Sequence, residues 1–112
     1  MTVSSIVIPV KDVAAATAFY RTAFGAEPHT ETPYYVGFNL DGLEIGLNPN
    51  GHEQGMTAPT YYWMVDDLPA ARDALVAAGG SVLQDATVVG GTRTIATVAD
   101  ADGNVIGLAQ DS

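Results

Sequence analysis

Asp41-Gly42-Leu43-Glu44-Ile45-Gly46-Leu47 returns 61 positions later as Asp102-Gly103-Asn104-Val105-Ile106-Gly107-Leu108. In the first copy, Asp-Gly between alternating apolar residues is the strongest short-range signal for a β-hairpin. A second pair of stretches precedes these. Val10-Lys11-Asp12-Val13 and Val65-Asp66-Asp67-Leu68 lie 55 positions apart, and each opens an alanine-rich stretch. A supersecondary unit that recurs in this way cannot bury its apolar face alone, so the repeat decides the fold before any single element does.

Working outward from the hairpins gives the same element order twice. Residues 5–10 alternate, with Ile6, Ile8 and Val10 on one side, and read as a strand; Pro9, on the other side, predicts an edge or a bulge. Asp12 is placed to cap a helix to about Phe24, with Val13, Ala16, Phe19, Tyr20 and Ala23 at helical spacing and Gly25 as its terminator. A short strand at 26–30 and a hairpin of 34–40 with 43–48 complete the first unit. The Gly-, Pro- and Asn-rich residues 48–59 connect the halves. The second half repeats the order with a strand at 60–65, a helix capped by Asp67 and ended by Gly79-Gly80, a strand at 81–84, and a hairpin of 92–98 with 104–110. The fold class is α+β: two βαβββ modules, about 1–50 and about 58–112 of a single domain 1–112, forming a curved mixed sheet with the helices on its outer face.

Composition narrows the function. The chain is 47% hydrophobic and 15% charged, which fits an ordered globular domain rather than a disordered one. Four Lys and Arg stand against thirteen Asp and Glu, a net charge of −9, so phosphate backbones and anionic membranes find almost no cations to bind. The expected partners therefore include neither nucleic acid nor membrane. Cysteine is absent, which removes disulfides and thiolate metal sites and suits a cytoplasmic protein. The opening residues lack a signal-peptide pattern, and no apolar run is long enough to span a bilayer.

The run Val-x-Asp-Val-x-x-Ala-x-x-Phe-Tyr-x-x-x-Phe-Gly, from Val10 to Gly25, resembles the opening module of the vicinal oxygen chelate superfamily. That group holds glyoxalase I, extradiol dioxygenases, methylmalonyl-CoA epimerase and bleomycin-type resistance proteins. Asp100-Ala101-Asp102-Gly103-Asn104 resembles its closing Asp-Pro-Asp-Gly-Asn hairpin, with alanine where proline is common. The resemblance spans essentially the whole chain. It implies a paired-module fold and a homodimer, and it implies metal ligands on the first and last strand of each module. Carried onto this sequence, those four positions are Ser5, Gly46, Thr60 and Gly107. A divalent cation needs imidazole or carboxylate donors near 2 Å, and glycine offers no side chain. No metal and no cofactor are therefore expected. His29 and His52, outside those positions, read as solvated surface.

What remains is a lining set by strand alternation. Tyr35, Gly37, Asn39, Glu44 and Asn48 share the face of Gly46, and Tyr62 and Met64 share the face of Thr60. The expected ligand-binding residues are Tyr35, Asn39, Glu44, Asn48, Tyr62 and Met64. Ile6, Ile8, Phe38, Ile45, Leu47, Trp63, Val65, Ile106 and Leu108 have the opposite parity and belong to the core. Gly46 and Gly107 are expected to add room, and Arg93 to form a surface ion pair.

Three functions are compatible with that lining. The first is a glyoxalase/bleomycin resistance-like protein that holds a small aromatic or apolar molecule, an antibiotic or natural product, in a metal-free cavity. The second is an isomerase, lyase or dioxygenase-like enzyme with Glu44 as its catalytic acid or base, or with a non-standard metal site. The third is a non-catalytic homodimer whose cavity is filled.

Overall fold

The computed structural model describes residues 2–111. They divide into two compact units, residues 5–60 and residues 61–111 with 2–4. The units have matching topologies, as the repeat requires.

In the first unit, β1 (Thr2–Pro9, from Ser5 on) leads into α1 (Val13–Phe24), followed by β2 (Thr30–Glu31), β3 (Val36–Leu40) and β4 (Leu43–Asn48). The spatial order is β2-β3-β4-β1, with β1 parallel to β4 and the other neighbours antiparallel. Asp12 caps α1 by accepting the Ala15 N–H at 3.1 Å, and Gly25 closes it at φ 63°. Asp41 and Gly42 both have positive φ, 54° and 95°, as a two-residue hairpin turn of the right twist demands. Phe38, Leu47, Val36 and Ile45 are buried with Val10, and Ile6, Ile8, Val13, Ala16, Tyr20 and Phe24 pack around them. Burying a side chain such as Phe38 contributes about 1.5–3 kcal/mol, so this apolar face fixes which way the sheet turns. Its other face carries Ser5, Val7, Gly37, Asn39, Glu44 and Gly46.

The second unit holds β5 (Thr60–Met64), α2 (Leu68–Ala77), β6 (Ser81–Gly90), β7 (Arg93–Ala99) and β8 (Val105–Asp111), in the order β5-β8-β7-β6. Here β5 and β8 are the parallel pair. Leu68, Ala96 and Leu108 form its buried centre, with Trp63, Val65, Ala71 and Leu75 against them.

Several expected boundaries move. The strand expected at 26–30 forms at Thr30–Glu31, because Pro28 has no N–H to donate and the ladder begins where the His29 N–H reaches the Gly37 carbonyl at 2.9 Å. The strand expected from 34 begins at Val36, because Thr32 and Tyr35 close a turn in front of it. The strand expected at 81–84 runs to Gly90; three register irregularities let it follow β7 for its whole length. Pro9 is simply the last residue of β1. Phe19, expected on the packed face of α1, is 67% exposed, whereas Thr17 is buried there with its hydroxyl donating to the Val13 carbonyl at 2.6 Å.

Candidate functional site

The hairpin register places the candidate site. Gly37 faces Gly46 and Asn39 faces Glu44 across β3 and β4, while Ser5 is in register with Glu44 on β1 and Val7 with Gly46. Two glycines opposite each other leave a shallow floor with no side chains on it. Tyr35, Glu44 and His29 occupy the space above.

Glu44 is the hub. Its Oε1 lies 2.7 Å from His29 Nε2, and its Oε2 accepts from the Tyr35 hydroxyl at 2.5 Å. A carboxylate only accepts, so a neutral His29 carries its proton on Nε2, and Nδ1 then accepts from the Thr30 hydroxyl at 2.8 Å. Thr30, His29, Glu44 and Tyr35 thus form one directed hydrogen-bond chain. The Glu44 side chain keeps 27% of its exposure and His29 46%, so the chain is open to a guest. The glycine floor is a requirement for this arrangement. A Cβ on Gly37 would stand 2.5 Å from Glu44 Oε2 and 2.9 Å from His29 Nε2, and one on Gly46 would stand 2.6 Å from Tyr35 Cε1.

In the second unit, Tyr62 pairs with Gly107 and Met64 with Ala109 along β5 and β8. The Tyr62 ring lies on Gly107: a Cβ there would stand 2.6 Å from Tyr62 Cε1, with Cδ1 closer still. Burial pushes the Tyr62 hydroxyl above the ordinary phenol value, so it stays a neutral donor. The residue facing Gly107 from β7 is Thr97, and the position that matches Glu44 is Val105. This unit therefore presents an aromatic ring without a carboxylate.

The remaining expected residues are placed as follows. Asn39 turns its Oδ1 to the Gly42 N–H at 3.0 Å and serves the hairpin turn. Asn48 donates to Gln54 at 3.1 Å and accepts from the Asn50 N–H at 2.9 Å, which ties it to the following loop. Tyr35 lies just before β3, so it does not extend the ladder opposite Asn48. Arg93 makes a two-pronged contact with Asp111 at 2.8 and 3.0 Å. Tyr34, the neighbour of Tyr35, is 75% exposed.

At the cluster and its glycines the structure differs from the sequence expectation in two further respects. His29 joins the cluster instead of standing as solvated surface, and rings occupy the room that Gly46 and Gly107 were expected to leave. Only the pairing of β2 with β3 brings His29 to Glu44, 15 residues away, and that short strand has almost no sequence signature.

A divalent metal, which the resemblance raised, does not suit these residues. Gly46 and Gly107 supply no donor, and their Cβ directions are filled by Tyr35 and Tyr62. Among the described residues no group of three or more His, Asp or Glu side chains is arranged to hold an ion. Nor is any described helix long and apolar enough to cross a membrane.

The sequence pattern of the Glyoxalase/Bleomycin resistance protein/Dioxygenase superfamily matches residues 2–108 of the chain. A comparison with curated proteins found no match. Among solved structures, the chain is similar to one named NAD-dependent benzaldehyde dehydrogenase from Legionella pneumophila. Identity is 17% and the TM-score 0.76, covering 96% of this chain and 98% of that one. A glyoxalase/bleomycin resistance protein/dioxygenase superfamily member from Vibrio splendidus 12B01 is 19% identical with a TM-score of 0.74, covering 96% and 97%. Methylmalonyl-CoA epimerase from Mycobacterium tuberculosis is 17% identical with a TM-score of 0.69, covering 98% and 87%. At these identities the likeness is one of fold.

Proposed function

The chain belongs to the Glyoxalase/Bleomycin resistance protein/Dioxygenase superfamily, and we propose that within it this protein binds a small aromatic or apolar molecule without a metal. The observation that carries this reading is the replacement of ligand chemistry by aromatic surface: a tyrosine ring lies over each glycine at the implied last-strand positions. Rings of this kind offer stacking area to a planar guest, and the few polar groups beside them fix its orientation. Under this proposal Tyr35 and Glu44 are the binding residues of the first unit and Tyr62 and Met64 those of the second, with a natural product or antibiotic as the class of guest. A homodimer belongs to the same proposal, supported by the exposed Leu83, Val88 and Val89 on β6.

The test is a thermal-shift screen of planar aromatic compounds on protein purified without chelators, with elemental analysis of the same sample and its mass in solution. Stabilisation by a planar guest in metal-free protein is the expected result. Stoichiometric metal, or binding only after metal is added, would overturn it.

A second reading, isomerase or lyase chemistry with Glu44 as base, is favoured by the hydrogen-bond chain through His29, Glu44 and Tyr35. It requires turnover by the native protein that Glu44→Gln abolishes.

A further inference from the structure

We propose that the Tyr35–Glu44–His29 cluster is a receptor for an organic cation, a protonated amine or amidine carried on a planar apolar body. This rests on the binding function proposed above and names the chemical class of the guest.

A carboxylate offers about four lone-pair sites, and Glu44 has committed one on each oxygen, to His29 and to Tyr35. The hydrogen bonds hold the group in place and leave acceptor capacity unused on a side chain that is partly exposed. The three arginines are engaged elsewhere: Arg21 with Glu27 and Glu31, Arg72 with Asp73 and Asp85, Arg93 with Asp111. His29, Glu44's ion-pair partner, is a base whose charge depends on protonation. With His29 neutral and donating from Nε2, the cluster keeps an anchored negative charge.

Three features favour an organic cation over an anion or a neutral polar guest. The Tyr35 ring beside the carboxylate adds the attraction of an aromatic face for a cation. Ser5, in register with Glu44 on the neighbouring strand, puts a hydroxyl acceptor on the same face for a second ammonium proton. The net charge of −9 draws cations toward the protein and repels anions. An inorganic divalent ion would instead need several anionic oxygens, and the cluster contains one carboxylate.

The test uses the intact protein and three probes with one ring system and different head groups: naphthylmethylamine, naphthylmethanol and naphthoate. Binding is followed by calorimetry, and the site is located by NMR shifts of Tyr35 and Glu44. We expect the amine to bind about tenfold more tightly than the alcohol, the lower end of what a hydrogen bond to a charged group contributes. The naphthoate should bind most weakly. Rising salt should weaken the amine and leave the alcohol unchanged, a readout that needs no variant. Glu44→Gln should bring the amine down to the alcohol's affinity. Equal affinities for amine and alcohol, or amine binding that moves no Tyr35 or Glu44 resonance, overturn the cation site while leaving the aromatic-guest function standing. If none of the three binds, the cation site falls, and the wider aromatic screen separately decides the function it rests on.

Discussion

The two repeats solve the same backbone problem and part company at two side chains. Each sets a glycine on its last strand, Gly46 or Gly107, and lays a tyrosine ring over it. Across from Gly46 stands another glycine, Gly37, whereas Thr97 stands across from Gly107. Two residues before the last-strand glycine stands Glu44 in one repeat and Val105 in the other. The paired glycines make room for a carboxylate and an imidazole above the sheet, whereas the second repeat carries Thr97 and Val105 at the matching positions. The topology is repeated, and the polar chemistry is confined to one copy. That is how a fold shared by many proteins acquires a particular site, by a few substitutions on an unchanged frame.

The comparison breaks most severely if the second repeat's residue is imported into the first. In Gly37→Thr, the new Cβ meets the Glu44 carboxylate, His29 and the Tyr35 ring together. The chain should lose about 3 kcal/mol of stability, the upper part of the usual range for overpacking. Any preference for cationic guests should disappear with it. The reciprocal Thr97→Gly should cost less, about 1 kcal/mol of strand preference, and create no cation site. Urea unfolding and the same three naphthyl probes check both. Wild-type stability in Gly37→Thr would show that the glycine floor is not what holds the cluster.

A smaller effect distinguishes the two tyrosines. On Gly46 an added methyl meets the far end of Tyr35, its Cε1 and hydroxyl, which can swing aside; on Gly107 it meets Tyr62 near the root of the ring, at Cδ1 and Cγ, which cannot. Gly107→Ala should therefore cost about 1–3 kcal/mol, and Gly46→Ala should cost less. Chemical denaturation of the two variants gives the order directly. The reverse order would mean that Tyr35 is the more rigidly held ring.

Much of this frame is legible in the residues. The Asp-Gly turn, the two capping aspartates and the alternation of Ile45 and Leu47 with Glu44 and Gly46 are local signals, and local structure obeys them. The cluster is less legible because its parts are held by non-local pairing. Glu44 and Tyr35 share a face that alternation reveals, but His29 reaches them through a two-residue strand that Pro28 pushes off the expected position. Neither could the glycines announce their role. A missing side chain reads in sequence as empty space, and only the fold shows that a ring from another position fills it. Phe19 fails for a related reason: helical spacing places it near the packed stripe, but the sheet beneath α1 is already covered by Val13, Ala16, Tyr20 and Phe24.

The smallest expected difference concerns how the two hairpins are closed. The first turn is held by an amide, Asn39 Oδ1 accepting from the Gly42 N–H, which does not titrate. The second is held by a carboxylate. Asp100 accepts from the Asn104 N–H at 2.8 Å, from its side chain at 3.2 Å and from the Asp102 N–H at 2.9 Å, and these bonds hold its pKa below the ordinary carboxylate range. A carboxyl group whose pKa is lower folded than unfolded stabilises the fold fully above its unfolded value, and that contribution is lost as the pH falls through the folded one. Acidification should therefore loosen the β7–β8 tip while the Asp41-Gly42 turn keeps its hydrogen bonds. Amide exchange at Asp102 and Asn104, compared with Gly42 over a descending pH series and corrected for intrinsic rates, measures the difference. Asp100→Asn, which keeps an acceptor but removes the charge, should make the second tip as indifferent to acid as the first. Equal loosening of both tips in the unmodified protein would trace the effect to global unfolding and away from this carboxylate.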